Sequence, residues 1–232
     1  MKSAIAGPML GMLAAGAVLL APAAGAATPE EAARAKACGV PASAIERSVK
    51  LEPELKRFDA EVAHVTRGAG ETRLIVFSDY SCGACKALNP TFAKLATDPD
   101  VRVELAEYPI YGRTFVSSVT GNKTLNATRI GLAVAEQSSA AYIAYHDSLM
   151  AARGGVSNKQ IDRALEASGA DAAKAKSRAE DKDIKAEAEA NMAFAKAIGI
   201  NGTPGLVAGG VVVSASAWSP ALMQCLAGKT AG

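Results

Sequence analysis

The chain has 232 residues, of which 50% are hydrophobic, and a formal net charge of +2. These values suit one globular domain with a substantial apolar core. The near-neutral charge and the low aromatic content of 5% argue against a nucleic-acid-binding protein, which needs a basic stripe or an aromatic stacking platform. The function must therefore reside in local motifs rather than in overall charge.

The first 26 residues have the organisation of an export signal. Lys2 precedes the apolar run MLGMLAAGAVLLA, and the small residues AAGAA follow it. The run is short for a membrane span and lacks a strongly cationic far flank. We predict a signal peptide over residues 1–26 that is cleaved after Ala26, the alternative being an uncleaved anchor. Export would place the four cysteines in a compartment where disulfides persist.

Residues 27–70 are predicted to form an N-terminal helical arm. Thr28 caps a short first helix, and a second helix is predicted from about Pro53 to Thr66. Apolar residues recur in this second helix at spacings of three and four: Leu55, Phe58, Val62 and Val65. The arm either packs on the domain or forms a dimerisation or trimerisation helix. Because the segment is short for a coiled coil, packing is favoured slightly.

A strand–helix–strand unit follows the arm and opens the predicted domain, residues 71–232. The apolar run TRLIVFSDY predicts a buried strand from Thr72 to Tyr80, KALNPTFAKLAT predicts a helix, and VRVELAEYPIY predicts a strand from Val101 to Tyr111. This order is typical of a parallel βαβ unit.

The rest of the chain is predicted to be mainly helical, with a hairpin near its end. A long helical stretch runs from about residue 117 to residue 198. The short strands GLVA and VVVS then flank Gly209 and Gly210, a two-residue hairpin signal. Ser219 and Pro220 begin a final helix.

Cys82 and Cys85, in the stretch DYSCGACKALNP, are the main candidates for chemistry. The spacing alone could arise by chance. Structural zinc needs four ligands, whereas His64 and His146 each stand alone in a segment predicted as helix. A structural bond between the two cysteines would close a very small ring and constrain the unfolded chain weakly.

The position of the pair at the start of a helix favours redox chemistry. Unpaired backbone N–H groups and the helix dipole stabilise a thiolate there, which lowers the pKa of Cys82. We predict that Cys82 is exposed and attacks a substrate disulfide, and that Cys85 is buried and resolves the mixed disulfide. Gly83 and Ala84 are small and bring no charge, so the helix terminus alone should lower this pKa.

The motif VFSDYSCGACK after a strand, with GINGTPGLV far downstream, resembles the DsbA-like class of thioredoxin-fold proteins. The resemblance extends from about Thr72 to Leu226. It implies an α/β thioredoxin fold with a helical insertion between its two halves, preceded here by the helical arm. It also implies that Cys82 and Cys85 are the redox centre. Thr203 and Pro204 match the family's cis-proline loop, which would present the Thr203 backbone to an extended substrate.

Within that class the sequence is most similar to the Com1-like and ScsC-like branch. Several members of that branch use the arm to oligomerise and act as disulfide isomerases. Gly-Ala replaces the Pro-His of DsbA, which implies a milder oxidant. The acid that DsbA carries in the preceding strand falls on Val76, so Asp79 and Glu107 are the nearby candidates for a proton acceptor.

Cys38 and Cys225 are the remaining cysteines. An oxidising compartment favours a bond between them, which would stabilise the fold by roughly 4–5 kcal/mol in the chain-entropy model. The alternatives are intermolecular bonds through Cys38 or two free thiols.

The main hypothesis is a periplasmic thiol–disulfide oxidoreductase that oxidises, reduces or isomerises disulfides in cysteine-containing proteins. It would need no organic cofactor and no metal, and a membrane redox partner would recycle it. No nucleic acid is expected as a partner, and a homo-oligomer through the arm is a further expectation from the resemblance. One alternative is a Cu(I)-handling protein that uses the same two thiolates, and another is a non-catalytic binding module with a structural bond.

Overall fold

The computed structural model describes residues 28–110, 119–213 and 219–228. The predicted signal peptide, residues 1–26, lies outside the described residues. The strands are β1 His64–Gly68, β2 Thr72–Ser78, β3 Val101–Glu107, β4 Gly205–Ala208 and β5 Val211–Val213. The helices of the first half are α1 Pro29–Ala37, α2 Ala42–Lys50, α3 Glu52–Leu55, α4 Phe58–Glu61 and α5 Gly83–Leu95. The later helices are α6 Val119–Ala135, α7 Ser139–Ala151, α8 Asn158–Ser168, α9 Ala172–Arg178, α10 Lys182–Ala197 and α11 Pro220–Leu226.

The five strands form one mixed sheet in the order β1-β3-β2-β4-β5. Strands β2 and β3 are parallel and are joined through α5, so the predicted βαβ unit is confirmed. The other neighbouring strands are antiparallel. Because Ser78 lies opposite Glu107 in the register, β2 and β3 end at the same edge of the sheet, where α5 begins.

The predicted hairpin between β4 and β5 is also confirmed, since Leu206 pairs with Val213 and Ala208 with Val211. Gly209 and Gly210 connect the strands with φ values of 51° and 67°. A two-residue hairpin turn whose twist matches that of the strands requires a positive φ at both of its central residues. Glycine adopts a positive φ at little steric cost.

Two apolar cores cover the two faces of the sheet. On one face Leu74 and Val76 pack with side chains of α5 and α7. On the other, Ile75 and Phe77 pack with Phe58 of α4 and with residues of α10. This alternation along β2 is the period of two expected for a strand buried on both faces. The predicted α/β thioredoxin fold with a helical insertion is confirmed, with α6–α10 as the insertion.

The predicted helix from Pro53 to Thr66 is wrong in its second half. The chain instead forms the short helices α3 and α4, and then the strand β1. His64 to Gly68 pair antiparallel with Arg102 to Ala106 of β3. The apolar positions are buried as expected, but Val65 is buried by strand pairing and not by a helix face. The backbone bonds to β3 outweigh the local helical spacing.

The helices before β1 pack on the domain. Ala35 and Val40 join one core, and Leu55 and Phe58 join the other. Phe58 meets Phe77 edge-on at 6.0 Å and Phe194 at 5.7 Å between ring centroids. Over the described ranges, no helix combines the length and the apolar character that crossing a bilayer requires.

Candidate active site

The N-terminus of α5 holds the cysteine pair at the edge where β2 ends. Asp79 follows the strand, and its carboxylate accepts a hydrogen bond from the Ser81 N–H at 2.7 Å. The Cys82 N–H donates to the Asp79 carbonyl at 3.0 Å. This turn makes Cys82 the N-cap of α5, and its Sγ accepts a hydrogen bond from the Cys85 N–H at 3.3 Å. The sulfur thus occupies the capping position that an oxygen holds in most helices.

Both cysteines are buried, Cys82 with 3% and Cys85 with 2% of its surface exposed. The expectation that Cys82 is exposed is therefore wrong. Gly83 and Ala84 are exposed between them, but neither opens a path to the Cys82 sulfur. The sulfur is covered because it faces the loop before β4 as well as the first turn of α5.

That loop contains Thr203 and Pro204, and the peptide bond between them is cis. The Cys82 thiol donates a hydrogen bond to the Thr203 carbonyl at 3.3 Å. Gly205 begins β4 and lies opposite Phe77 of β2, so strand pairing places the loop beside the cysteines. The structure therefore brings together four of the residues singled out in the sequence: Cys82, Cys85, Thr203 and Pro204.

The surroundings separate the two thiols electrostatically. The pKa of Cys82 is lowered to about 6, although burial alone would raise it. The largest lowering effect is a hydrogen bond from the Cys85 side chain. The Thr203 side chain and the backbone N–H groups of Cys85 and Ala84 lower it further. Burial raises the pKa of Cys85, and the neighbouring Cys82 raises it further. One sulfur is set to be a thiolate and the other a thiol. The prediction that the helix terminus alone lowers the Cys82 pKa omitted Cys85 and Thr203.

Lys86 adds a cation beside the pair and was not among the residues predicted from the sequence. Its Nζ donates to the carbonyls of Ala152 at 2.6 Å and Gly154 at 2.7 Å, just beyond the end of α7. Burial lowers the pKa of Lys86, while the charges of Asp79 and Cys82 raise it. The ammonium group therefore interacts with the cysteine pair and binds the helical insertion at the same time.

The two acidic residues near the pair lie in different surroundings. Asp79 is fully buried in the turn before Cys82. Glu107, at the end of β3, is 1% exposed. Its Oε1 accepts a hydrogen bond from the Tyr142 hydroxyl and lies within hydrogen-bonding distance of His146 Nδ1, both at 2.9 Å. Val76, at the strand position where DsbA has an acid, lies in the apolar core and provides no proton acceptor.

Cys38 and Cys225 form a disulfide bond in the structure. Cys38 is the C-cap residue of α1, and Cys225 lies in α11. The bond joins the N-terminal segment to the last helix and is separate from the Cys82–Cys85 pair, whose thiols are free.

Asp59, His64 and Glu104 converge in the way that metal ligands do. Arg73 already forms ion pairs with both of these carboxylates, and Arg102 bonds the other Glu104 oxygen at 3.1 Å. Two guanidinium groups would oppose a cation there, so the cluster acts as an ion-pair network that joins α4 to the sheet.

Comparison with protein families decides the class. The model of the DSBA-like thioredoxin domain matches residues 73–224. The chain belongs to this family. Comparison with curated proteins gives no match.

Solved structures of similar fold include three bacterial examples. The catalytic domain of Proteus mirabilis ScsC is 22% identical, with a TM-score of 0.64 over 78% of this chain and 96% of that one. The thiol–disulfide exchange protein α-DsbA2 of Wolbachia pipientis is 20% identical, with a TM-score of 0.67 over 81% and 97%. A periplasmic thioredoxin-like protein of Salmonella enterica serovar Typhimurium is 24% identical, with a TM-score of 0.58 over 70% and 87%. At these identities the likeness establishes the fold.

Several polar residues around the centre were not singled out in the sequence. They are Lys86, Asn89, Tyr142 and Asp147, and all of them bond across elements. Asn89 carried a local signal, because it lies four residues after Cys85 and so on the same face of α5. The others depend on how α7 packs against the sheet, which no local pattern indicates.

Proposed function

We propose that this chain is an exported thiol–disulfide oxidoreductase that exchanges disulfides with cysteine-containing proteins through Cys82 and Cys85. The observation that carries the proposal is the unequal pair at the start of α5. The pKa of Cys82 is lowered to about 6, whereas burial raises that of Cys85. Membership of the DSBA-like family supports the same chemistry.

In the reducing direction the Cys82 thiolate attacks one sulfur of a substrate disulfide. A bond forms between Cys82 and that sulfur, and the other substrate sulfur leaves as a thiolate. Cys85 then loses its proton and attacks the Cys82 sulfur. The second substrate thiolate leaves, the Cys82–Cys85 bond forms, and two electrons have passed to the substrate. The oxidising direction reverses these steps.

The cis-proline loop supplies a place for the substrate chain beside the sulfur. In the structure the Thr203 carbonyl accepts the hydrogen bond of the Cys82 thiol. When Cys82 forms a thiolate or a mixed disulfide, this carbonyl loses its donor and becomes free for a substrate N–H. The Thr203 hydroxyl is buried and donates no well-formed hydrogen bond to the described residues, but it lies close enough to the Cys82 sulfur to lower its pKa, so a small rotation would let it donate to the thiolate.

The closest test compares the wild type with Cys82→Ser and Cys85→Ser in insulin-disulfide reduction and in refolding of scrambled ribonuclease. We expect Cys82→Ser to abolish turnover, and Cys85→Ser to accumulate a mixed disulfide detectable by mass. A matched control, Cys38→Ser with Cys225→Ser, keeps the redox pair and should keep turnover. Equal rates for wild type and Cys82→Ser would refute the proposal.

The direction of exchange follows from how strongly the thiolate is stabilised. Reported pKa values for such cysteines run from roughly 3.5 in a strong oxidant to about 7 in a reductase. A value of about 6 for Cys82 lies nearer the reducing end, which favours a mild oxidant or an isomerase. Equilibration with glutathione measures the potential. The same proposal includes a periplasmic location and a membrane partner that recycles the centre. It also includes self-association through the N-terminal segment, which a measurement of the molecular mass in solution tests.

Copper binding is the competing use of the same sulfurs. Cu(I) requires both as thiolates, and the raised pKa of Cys85 works against the second. Anaerobic titration of the reduced protein separates the two functions. A tight one-to-one complex without insulin turnover would favour copper handling.

A further inference from the structure

A buried polar network lies directly behind the redox helix and has no place in the exchange steps above. The Tyr142 hydroxyl donates to Glu107, His146 Nδ1 contacts the same Glu107 oxygen, and His146 Nε2 lies 3.2 Å from Asn89 Oδ1. Glu107 and His146 are each 1% exposed. The network joins the end of β3 to α7 and to α5.

The hydrogen bonds restrict where the protons are. Asn89 Nδ2 donates to Asp147 Oδ1 at 2.9 Å, which points Asn89 Oδ1 at His146. His146 Nε2 must therefore carry a hydrogen. A second proton must lie between His146 Nδ1 and Glu107, because two lone pairs would repel at 2.9 Å. Together Glu107 and His146 thus carry no net charge, whichever of them holds that proton.

Glu107 has little else to offset its charge. Its other oxygen, Oε2, is buried and has no hydrogen-bond partner among the described residues. The Tyr142 hydroxyl is a neutral donor, since burial raises the pKa of Tyr142 well above its usual range. Burial does the same for Tyr80 and Tyr145 on the neighbouring elements. On the far side of Asn89, Asp147 is itself paired with Arg67 at 2.8 Å. The proton shared with His146 is therefore what keeps Glu107 from carrying an uncompensated charge.

The network reaches the cysteines through α5 and through the turn before it. Asn89 and Cys85 are both buried and lie four residues apart in α5, so their side chains are neighbours on one helix face. Tyr80, two residues before Cys82, packs edge-on against His146 with 5.5 Å between ring centroids. Ser78 lies opposite Glu107 in the sheet. A charge on Glu107 would thus act on the sulfurs through protein and not through water.

We propose that His146 neutralises the buried Glu107 carboxyl, so that the Cys82 thiolate forms without an uncompensated negative charge behind it. Glu107 and His146 are positioning residues that act on the redox centre through charge. This proposal rests on the proposed function only in taking Cys82 and Cys85 as a redox pair, and it requires no substrate.

The decisive variant is His146→Gln, whose side-chain amide can still donate to Asn89. It removes the partner that shares a proton with Glu107, and reduction of the Cys82–Cys85 bond then places two negative charges near each other. We expect the equilibrium constant for reduction by glutathione at pH 8 to fall about tenfold. The double variant Glu107→Gln with His146→Gln removes the charge. We expect its equilibrium constant for reduction to lie within threefold of the wild-type value.

The double variant distinguishes charge from packing, because it keeps the altered contact at position 146. If the fall persists in the double variant, or if His146→Gln has no effect, the proposal is wrong. Glu104→Gln is the matched control. Glu104 is a buried carboxylate of the same strand that projects from the opposite face and pairs with Arg73, and its replacement should leave the constant within threefold of wild type.

Glu107→Gln alone keeps the test open if His146→Gln does not fold. This variant replaces the Glu107–His146 pair, which carries no net charge, with a pair that also carries none. The equilibrium constant for reduction by glutathione at pH 7 should therefore stay within threefold of the wild-type value. A tenfold rise would mean that Glu107 is an uncompensated charge in the native protein, which would overturn the proposal. Because the equilibrium uses glutathione alone, it stands even if the protein turns over no protein substrate. A failure of the proposed function would appear instead in the insulin and ribonuclease assays.

Discussion

The Nζ atom of Lys86 lies 2.6 Å from the carbonyl oxygen of Ala152, so the residue after the second cysteine is tied to the end of the helical insertion. Ala152 is the C-cap of α7, and Gly154 supplies a second carbonyl at 2.7 Å. A lysine ammonium at a helix C-terminus satisfies carbonyls that have no partner within the helix and complements its dipole. Lys86 thereby couples the insertion to α5.

Lys86→Met should weaken this junction and the thiolate together. We expect the free energy of unfolding to fall by about 1–3 kcal/mol, because two carbonyls lose a charged donor. We expect the pKa of Cys82 to rise above about 6, because a nearby cation is lost. Urea denaturation and the thiolate absorbance at ultraviolet wavelengths measure the two effects.

Lys94→Met is the matched control for that variant. Lys94 lies in the last turn of the same helix and is exposed. Its replacement should change neither quantity by more than the error of measurement. Indistinguishable stabilities of the Lys86 and Lys94 variants would contradict a role for Lys86 in joining the two parts of the fold.

Gly70→Ala should be among the most damaging small substitutions in the chain. An added Cβ would lie 1.9 Å from the carbonyl carbon of Asp100 and 2.0 Å from the nitrogen of Val101. The backbone between β1 and β2 would have to move away from the start of β3, at a cost of about 3 kcal/mol in unfolding free energy. Thermal and urea unfolding measure the loss.

Gly83→Ala provides the comparison, because no atom lies within 4 Å of its added Cβ. Gly83 is in the first turn of α5, so alanine should change stability by less than about 1 kcal/mol and in the stabilising direction. If both alanine variants unfold alike, close backbone approach at Gly70 is not what limits the fold.

The fold could be predicted to the extent that its signals are local. The run from Thr72 reads as a buried strand in any context, and two glycines between β-branched strands read as a hairpin. β1 was missed because its partner, β3, lies more than thirty residues further along the chain. The burial of Cys82 depends in the same way on the distant Thr203 loop. His146 gave no signal in the sequence, because its partner Glu107 belongs to another element.

Removing the Cys38–Cys225 bond should lower stability without stopping exchange. The two cysteines are 187 residues apart, so the bond restricts nearly the whole unfolded chain. We expect Cys38→Ser with Cys225→Ser to lose about 5 kcal/mol of unfolding free energy in the chain-entropy model. Urea unfolding of the oxidised proteins measures this. A variant with serine at both Cys82 and Cys85 serves as the control, because a bond between these two cysteines closes a small ring that contributes little to stability. An equal loss in both variants would contradict the assignment.

The lowered pKa of Cys82 makes the stability of the reduced protein depend on pH. The thiol ionises near pH 9.0 without a special environment and at about 6 in the fold. Between these values the unfolded chain binds a proton that the folded chain does not. Stability therefore rises from about pH 6 toward pH 9, by up to about 1.4 kcal/mol per pH unit, and this contribution is lost as the pH falls through 6.

Urea unfolding of the reduced wild type and of Cys82→Ser at pH 6, 7 and 8 tests this dependence. The difference in unfolding free energy between the two proteins should be small at pH 6 and should grow at each step. Above pH 9 the raised pKa of Cys85 acts in the opposite sense, because the unfolded chain then ionises a thiol that the fold keeps protonated. A difference that stays constant from pH 6 to pH 8 would mean that the fold does not stabilise the Cys82 thiolate. The unequal pair on which the proposed exchange chemistry depends would then be absent.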